Sequence, residues 1–159
     1  METRPARCLI LACGNTLRSD DGVGPWLAAW ASKHFRDEAQ VCVLARQQWT
    51  LDLVEDVAGA GFLLFLDCSL DSPPGVIQQT PVEPANDPLK IATHHLSASE
   101  LLALSRHFYR SLPRAALLLT IGAGSTEFGE AFSAAVQAAL PEACRKMEET
   151  VQRWLAASG

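Results

Sequence analysis

The chain has 159 residues, nearly half of them hydrophobic, and a formal net charge of −5 at pH 7. That size and composition predict one globular domain over 1–159 with a sizeable core. The acidic balance, with no basic run and no aromatic–basic alternation, argues against nucleic acid as a partner. No apolar run is long enough to span a bilayer, so no membrane partner is expected.

The opening "METRPARCLILACGN" has a basic stretch followed by a short apolar run. A secretory signal needs a longer apolar region and a small-residue cleavage site, so a cytoplasmic location is expected. Residues Arg7 to Cys13 then read as a central strand buried on both faces. "GNTLRSDDGVG" (Gly14 to Gly24) follows, with three glycines, one asparagine and two adjacent acids. From Asp21, apolar residues at Val23, Trp26, Leu27, Trp30 and Ala31 have helical spacing and predict a helix to about His34. "VCVLA" (Val41 to Ala45) reads as a second strand. Thr50 to Gly61 reads as a helix capped by Thr50 and closed by glycines. "FLLFLD" (Phe62 to Asp67) is a further apolar strand ending in a carboxylate.

"SPPG" (Ser72 to Gly75) is a turn, and Val76 to Val82 alternates weakly, with Pro81 restricting it to a sheet edge. The helix of "LSASELLALSRHFY" starts with Ser97 and Glu100 at capping-box spacing, and Leu96 and Leu101 sit at hydrophobic-staple positions. Arg114 to Gly122 is a fourth buried strand. An amphipathic stretch from about Phe128 to Ala156 closes the chain, with Pro141 inside it expected to kink or divide the helix. Strands and helices thus alternate. The pattern predicts an α/β three-layer sandwich, a mostly parallel twisted sheet of about five strands with helices on both faces.

Ligands in open α/β sheets collect outside the carboxyl ends of the strands. There this sequence puts Gly14-Asn15 and Asp20-Asp21 after the first strand and Asp67 at the end of the third. Thr93-His94-His95 precedes the capped helix. Two carboxylates and an imidazole converging on one edge would suit a borderline divalent ion such as nickel or zinc, with coordination positions left open. Each piece also has a plain structural reading. Asp20 and Asp21 could cap a helix, Asp67 could be a turn residue, and the histidines could be loop surface. The five cysteines (Cys8, Cys13, Cys42, Cys68, Cys144) have no disulfide or zinc-site spacing and read chiefly as small buried hydrophobes. Cys13 and Cys68 flank the proposed edge and could also serve as soft ligands or a nucleophile. The glycine loop lacks G-x-G-x-x-G and a Walker lysine. "GAGST" (Gly122 to Thr126) is not a serine-hydrolase elbow.

These motifs resemble the hydrogenase maturation endopeptidases, which trim the C-terminal tail of nickel–iron hydrogenase large subunits. "LILACGNTLRSDDGVG" fills every fixed position of that family's opening signature, an apolar strand then G-N-x-L-x-x-D-[DE]-G-x-G. "FLLFLDCSLDSPPG" and "ATHHLSASELLAL" match its second and third elements, in order, over roughly Cys8 to Leu104. The wording of the first and third segments looks most like the subgroup serving bidirectional, NAD(P)-linked hydrogenases. The resemblance implies metal-binding positions at Asp21, Asp67 and His94, with His95 as the neighbouring alternative. Asp21 and Asp67 would also be catalytic. Gly14, Asn15 and Gly22 would shape the loop around the metal. The metal would be nickel delivered by the substrate, with no tightly bound cofactor. The partner would be a hydrogenase large-subunit precursor, and the enzyme a monomer. A carboxylate or a metal-held water would attack the scissile amide. Two departures stand out: "ARQQWTLDL" (Ala45 to Leu53) replaces a D-G-G-T-like stretch common in the family, and the first ligand is Asp, not Glu. A non-catalytic nickel- or precursor-binding checkpoint and a small α/β nucleotide binder are the alternative readings.

Overall fold

A computed structural model describes residues 7–90 and 95–157, the side chain of Leu89 excepted. Five strands form one sheet: β1 (Cys8–Cys13), β2 (Val41–Arg46), β3 (Phe62–Ser69), β4 (Ile77–Pro81) and β5 (Ala115–Gly122). Their spatial order is β2-β1-β3-β5-β4, with β4 antiparallel to β5 and every other pairing parallel. The predicted three-layer architecture is therefore the observed one. Pro81 ends the edge strand, where its missing N–H leaves no gap in the sheet's interior.

Four α-helices cover the two faces: α1 (Val23–His34), α2 (Val54–Ala58), α3 (Ala98–Tyr109) and α4 (Ala134–Ala157). Strand pleating sorts the core. Cys8, Ile10 and Ala12 of β1 pack with Phe62, Leu64 and Leu66 of β3 under α1 and α4. Leu9 and Leu11 pack with Leu63 and Phe65 under α2 and α3. Each fully buried Leu, Ile or Phe side chain contributes roughly 1.5–3 kcal/mol of transfer free energy.

The expected boundaries shift in four places. A 3₁₀ turn, Ser19–Gly22, precedes α1, and neither Asp20 nor Asp21 caps it with its side chain. The stretch after Thr50 splits into a 3₁₀ turn, Leu51–Leu53, and the short α2. The Thr50 hydroxyl bonds the Asp52 carboxylate instead of a backbone N–H, so the predicted cap is not made. β3 continues two residues past Asp67, because Cys68 and Ser69 still pair with Ile121 and Gly122. The last helix begins at Ala134, not near Phe128, and runs through Pro141 undivided. A proline costs one intrahelical donor there. The burial of Val136, Leu140, Ala143, Met147 and Trp154 against the sheet outweighs that loss. The α3 start matches expectation: Ser97 Oγ accepts the Glu100 N–H (3.2 Å) and Glu100 Oε1 accepts the Ser97 N–H (3.0 Å).

Two glycines make the β1–α1 junction possible. Gly14 has φ +149°, and a Cβ there would overlap the Asp21 carbonyl. Gly24 lets α1 lie directly on the strands. Its Cβ would overlap the Cys13 carbonyl oxygen and sit 3.1 Å from that of Leu66. Gly24→Ala must push α1 off β1 and β3, and is expected to cost about 2–3 kcal/mol in urea unfolding.

Candidate active site

The order β2-β1-β3 places a topological switch point between β1 and β3, where the chain leaves in opposite directions. A cleft of about 390 Å³ lies at the carboxyl ends of these strands. Its walls include Cys13 and Gly14 after β1, Asp21, Gln47 to Trp49 after β2, Asp67 on β3, and His95 to Ala98 leading into α3. Of the expected site residues, Asp21 and Asp67 meet here. A carboxylate oxygen from each and the Cys68 sulfur all lie within 4.8 Å of one another. His95 lines the same cleft. His94 lies outside the described residues.

Asp21 is held from two sides. Its Oδ2 accepts the Asn15 N–H at 2.7 Å, and its Oδ1 receives the Cys68 thiol at 3.4 Å. Asn15 in turn uses Oδ1 to accept the Leu17 N–H (2.9 Å), which keeps the loop tightly turned. Asp67 accepts the Cys68 N–H at 2.8 Å and the Cys13 thiol. Among the described residues, no lysine or arginine pairs with either acid.

The titration of these groups follows from that setting. Burial pushes the Asp67 carboxyl up to about 6. The Cys13 and Cys68 hydrogen bonds oppose this, and the Asp21 charge adds to it. Burial, then the nearby carboxylates, push the Cys68 thiol up to about 12 and raise Cys13 as well. Both thiols are therefore protonated at neutral pH, which argues against a cysteine nucleophile. As donors, two carboxylates with an adjacent sulfur and a nearby imidazole form an O, N, S set suited to a borderline divalent cation.

Asp20 plays the opposite part. It is fully buried and is not part of the cleft lining. It accepts N–H bonds from Gly124 (2.7 Å), Ser125 (3.0 Å) and Ser133 (2.8 Å), plus the Ser133 hydroxyl (2.7 Å). Burial alone would raise its carboxyl, but the Ser133, Ser125 and Gly124 bonds outweigh burial and hold it below the usual carboxylate range. No local pattern in the sequence could have identified these partners, which lie more than a hundred residues away. The contribution of Cys68 had one local signal, its place directly after Asp67. Cys8 and Cys144 are buried as expected for small hydrophobes, whereas Cys13, Cys42 and Cys68 are only partly so.

No protein-family model matches the chain, and no curated protein sequence does. Solved structures do. The hydrogenase maturating endopeptidase HybD from E. coli superposes with a TM-score of 0.74, covering 92% of this chain and 93% of its own, at 22% identity. The hydrogenase 2 maturation peptidase from Thaumarchaeota archaeon SCGC_AB-539-E09 gives 0.67, covering 92% and 98% at 22% identity. The [NiFe] hydrogenase maturation protease HybD from Thermococcus kodakarensis gives 0.64, covering 91% and 98% at 24% identity. The chain has the fold of the hydrogenase maturation proteases. The match runs over nearly the full length of each partner, so the sheet, its helices and the β1–β3 switch point all belong to the shared framework. No helix among the described residues is long and apolar enough to cross a membrane.

The two neighbouring acids should separate cleanly in experiment. Asp20→Asn places an amide donor against N–H and O–H donors and should lose about 3 kcal/mol in chemical denaturation. Asp21→Asn should stay within about 1 kcal/mol of wild type in the same measurement. Asp67 gives a pH signature. Its folded-state value of about 6 exceeds the ordinary 3.8, so the native state binds that proton more tightly than the unfolded chain. The associated stability is complete below about pH 4 and is lost as pH rises to about 6. The difference between wild type and Asp67→Asn should therefore change by roughly 2–3 kcal/mol across that window and be flat above it.

Proposed function

We propose that this protein is an endopeptidase that removes the C-terminal extension from the nickel-loaded large-subunit precursor of a nickel–iron hydrogenase. The observation that carries the reading is the meeting of Asp21 and Asp67, distant in sequence, in one cleft at the switch point. Two carboxylates so close repel each other, and a divalent cation relieves that repulsion. The metal in this reading belongs to the substrate. Nickel already seated in the precursor is the mark that the cleft recognises, through Asp21, Asp67 and a histidine of the His94-His95 pair. Asp21 and Asp67 then act on the adjoining amide, holding or activating the attacking water. The fold shared with maturation proteases supports this assignment. So does the complete G-N-x-L-x-x-D-[DE]-G-x-G signature, whose Gly14, Asn15 and two acids each have a physical task in the loop. The wording of "TLRSDDGVG" and "THHLSASELLAL" favours a precursor of the bidirectional, NAD(P)-linked class.

The test is incubation with candidate large-subunit precursors, with and without nickel, read by mass spectrometry. Loss of the tail only from nickel-loaded precursor is expected. Asp21→Asn and Asp67→Asn should each slow trimming at least 100-fold while the fold persists. Full trimming by either variant would remove that acid from the mechanism. Tight binding without trimming by the wild-type chain would make it an assembly checkpoint instead.

A further inference from the structure

The loop between β1 and α1 serves two surfaces. Its Gly14 and Asp21 line the cleft, while its Thr16 and Gly22 line a neighbouring groove of about 310 Å³ with Pro25, Trp26 and Phe132. In that groove Trp26 stands edge-on to Phe132, with centroids 6.4 Å apart, and is still 40% exposed. Next to Thr16 in the chain, Leu17 is 54% exposed, and across a backbone bridge from it Phe128 is 80% exposed. Both are held in place. The Gly129 N–H bonds the Leu17 carbonyl (2.9 Å), the Ser19 N–H bonds the Gly129 carbonyl (2.7 Å), and the Ser19 hydroxyl bonds the Glu127 carbonyl (2.8 Å). The Arg18 guanidinium lies over the Phe128 ring, 4.7 Å from its centroid. Leu51, Leu70 and Val76, also exposed, follow β2, follow β3 and precede the antiparallel β4, so they stand on the same edge of the sheet. A single exposed leucine needs no explanation, but an apolar patch presented on bonded backbone marks an interaction site.

We propose that Leu17 and Phe128, with the Trp26–Phe132 groove, form a docking surface for the folded body of the protein whose tail enters the cleft, a role that rests on the peptidase reading above. The patch and the cleft share one loop, so a protein with its tail at Asp21 has its body within reach of Leu17. A specific complex buries about 800 Å² on each partner, more than a short tail in a cleft supplies. Charge selects the occupant. Glu127 and Glu130 flank Phe128 in the chain and are exposed, so the counter-face is apolar with lysine or arginine at its rim. The same charges disfavour a second copy of this chain. It carries a net −5, and a two-fold contact through the patch would set these glutamates against their own counterparts.

Binding is measured with candidate large subunits cut back to remove the C-terminal extension, so that no bond is left to cleave. The wild-type chain should bind one of them, and the double variant Leu17→Ser/Phe128→Ser should bind it about 10-fold more weakly or worse, with an unchanged melting temperature. Glu127→Lys/Glu130→Lys should weaken binding too, and by less at high salt. With nickel-loaded precursor, Leu17→Ser/Phe128→Ser should raise KM by a similar factor and leave kcat at saturation unchanged. No wild-type binding, or an unchanged affinity and KM in that variant, overturns the proposal. So does a loss confined to kcat or accompanied by a lower melting temperature, which would mean that the two side chains only hold the loop. A wild-type dimer that Leu17→Ser/Phe128→Ser dissociates overturns it as well, by making the patch a contact between copies. A wild-type chain that binds the shortened subunit through the patch but trims no nickel-loaded precursor overturns the peptidase reading and leaves the docking surface standing.

Discussion

The arrangement of the cleft depends on a carboxylate that never reaches it. Asp20 is enclosed by three backbone N–H groups and one hydroxyl drawn from Gly124, Ser125 and Ser133. A buried ion is tolerated only when its lone pairs are met, and here they are. The bonds join the loop after β1 to the segment after β5 and to the start of α4. Further backbone bonds between Ser19 and Gly129 and between Asp20 and Ser125 reinforce the seam. With its neighbour locked in this way, Asp21 has little freedom, and its side chain is delivered to the opposite side of the turn toward β3. The doubled acid is thus a division of labour in which one carboxylate fixes the loop and the other is presented by it.

The same comparison separates structural from available carboxylates by donor supply. Asp20 is fully buried and Asp67 is partly buried. Asp20 collects four donors and its proton affinity falls. Asp67 collects one N–H and one weakly donating thiol, faces a second acid, and its proton affinity rises. A carboxylate that the fold has satisfied has nothing left to offer a ligand. One left short, beside a like charge and in a cleft, keeps acceptor capacity that the fold does not use.

Much of this was legible in the sequence. Short continuous apolar runs such as "CLILAC" and "FLLFLD" read as strands buried on both sides, and the helical spacing between them predicts crossovers, hence a parallel sheet. That Asp21 and Asp67 would meet was legible because each follows or ends such a strand, and parallel strands send those ends to one edge. What the residues alone did not reveal was long-range. Nothing near Asp20 announces that Ser133 will hold it. Nothing in "RQQWT" announces that Trp49 will be buried against Phe65 with its nitrogen unmet. Thr50 misled because a threonine before an apolar periodic stretch usually caps a helix. Here the competing bond to Asp52 was equally local and prevailed. Pro141 misled because the cost of one missing donor was weighed without the sheet face that α4 covers.

The layers explain why one edge gathers so much chemistry. Pleating puts Cys13 and Asp67 on the α2–α3 side of the sheet, with Leu11 and Phe65 behind them, while Cys68 turns to the α1–α4 side. The loop carrying Asp21 leaves β1 toward α1, and the segment carrying His95 arrives ahead of α3. Groups from both helical layers therefore reach the switch point over the end of the sheet, which neither layer alone could cover. Asp21 closes the gap by touching Cys68 on one side and facing Asp67 on the other. Moving it outward by the thickness of a single Cβ would break that bridge. At Gly14 a side chain would strike the Asp21 carbonyl, and at Gly24 it would strike the carbonyls of Cys13 and Leu66. The glycines set how closely the loop and α1 approach the strands, and so where the two acids stand relative to each other.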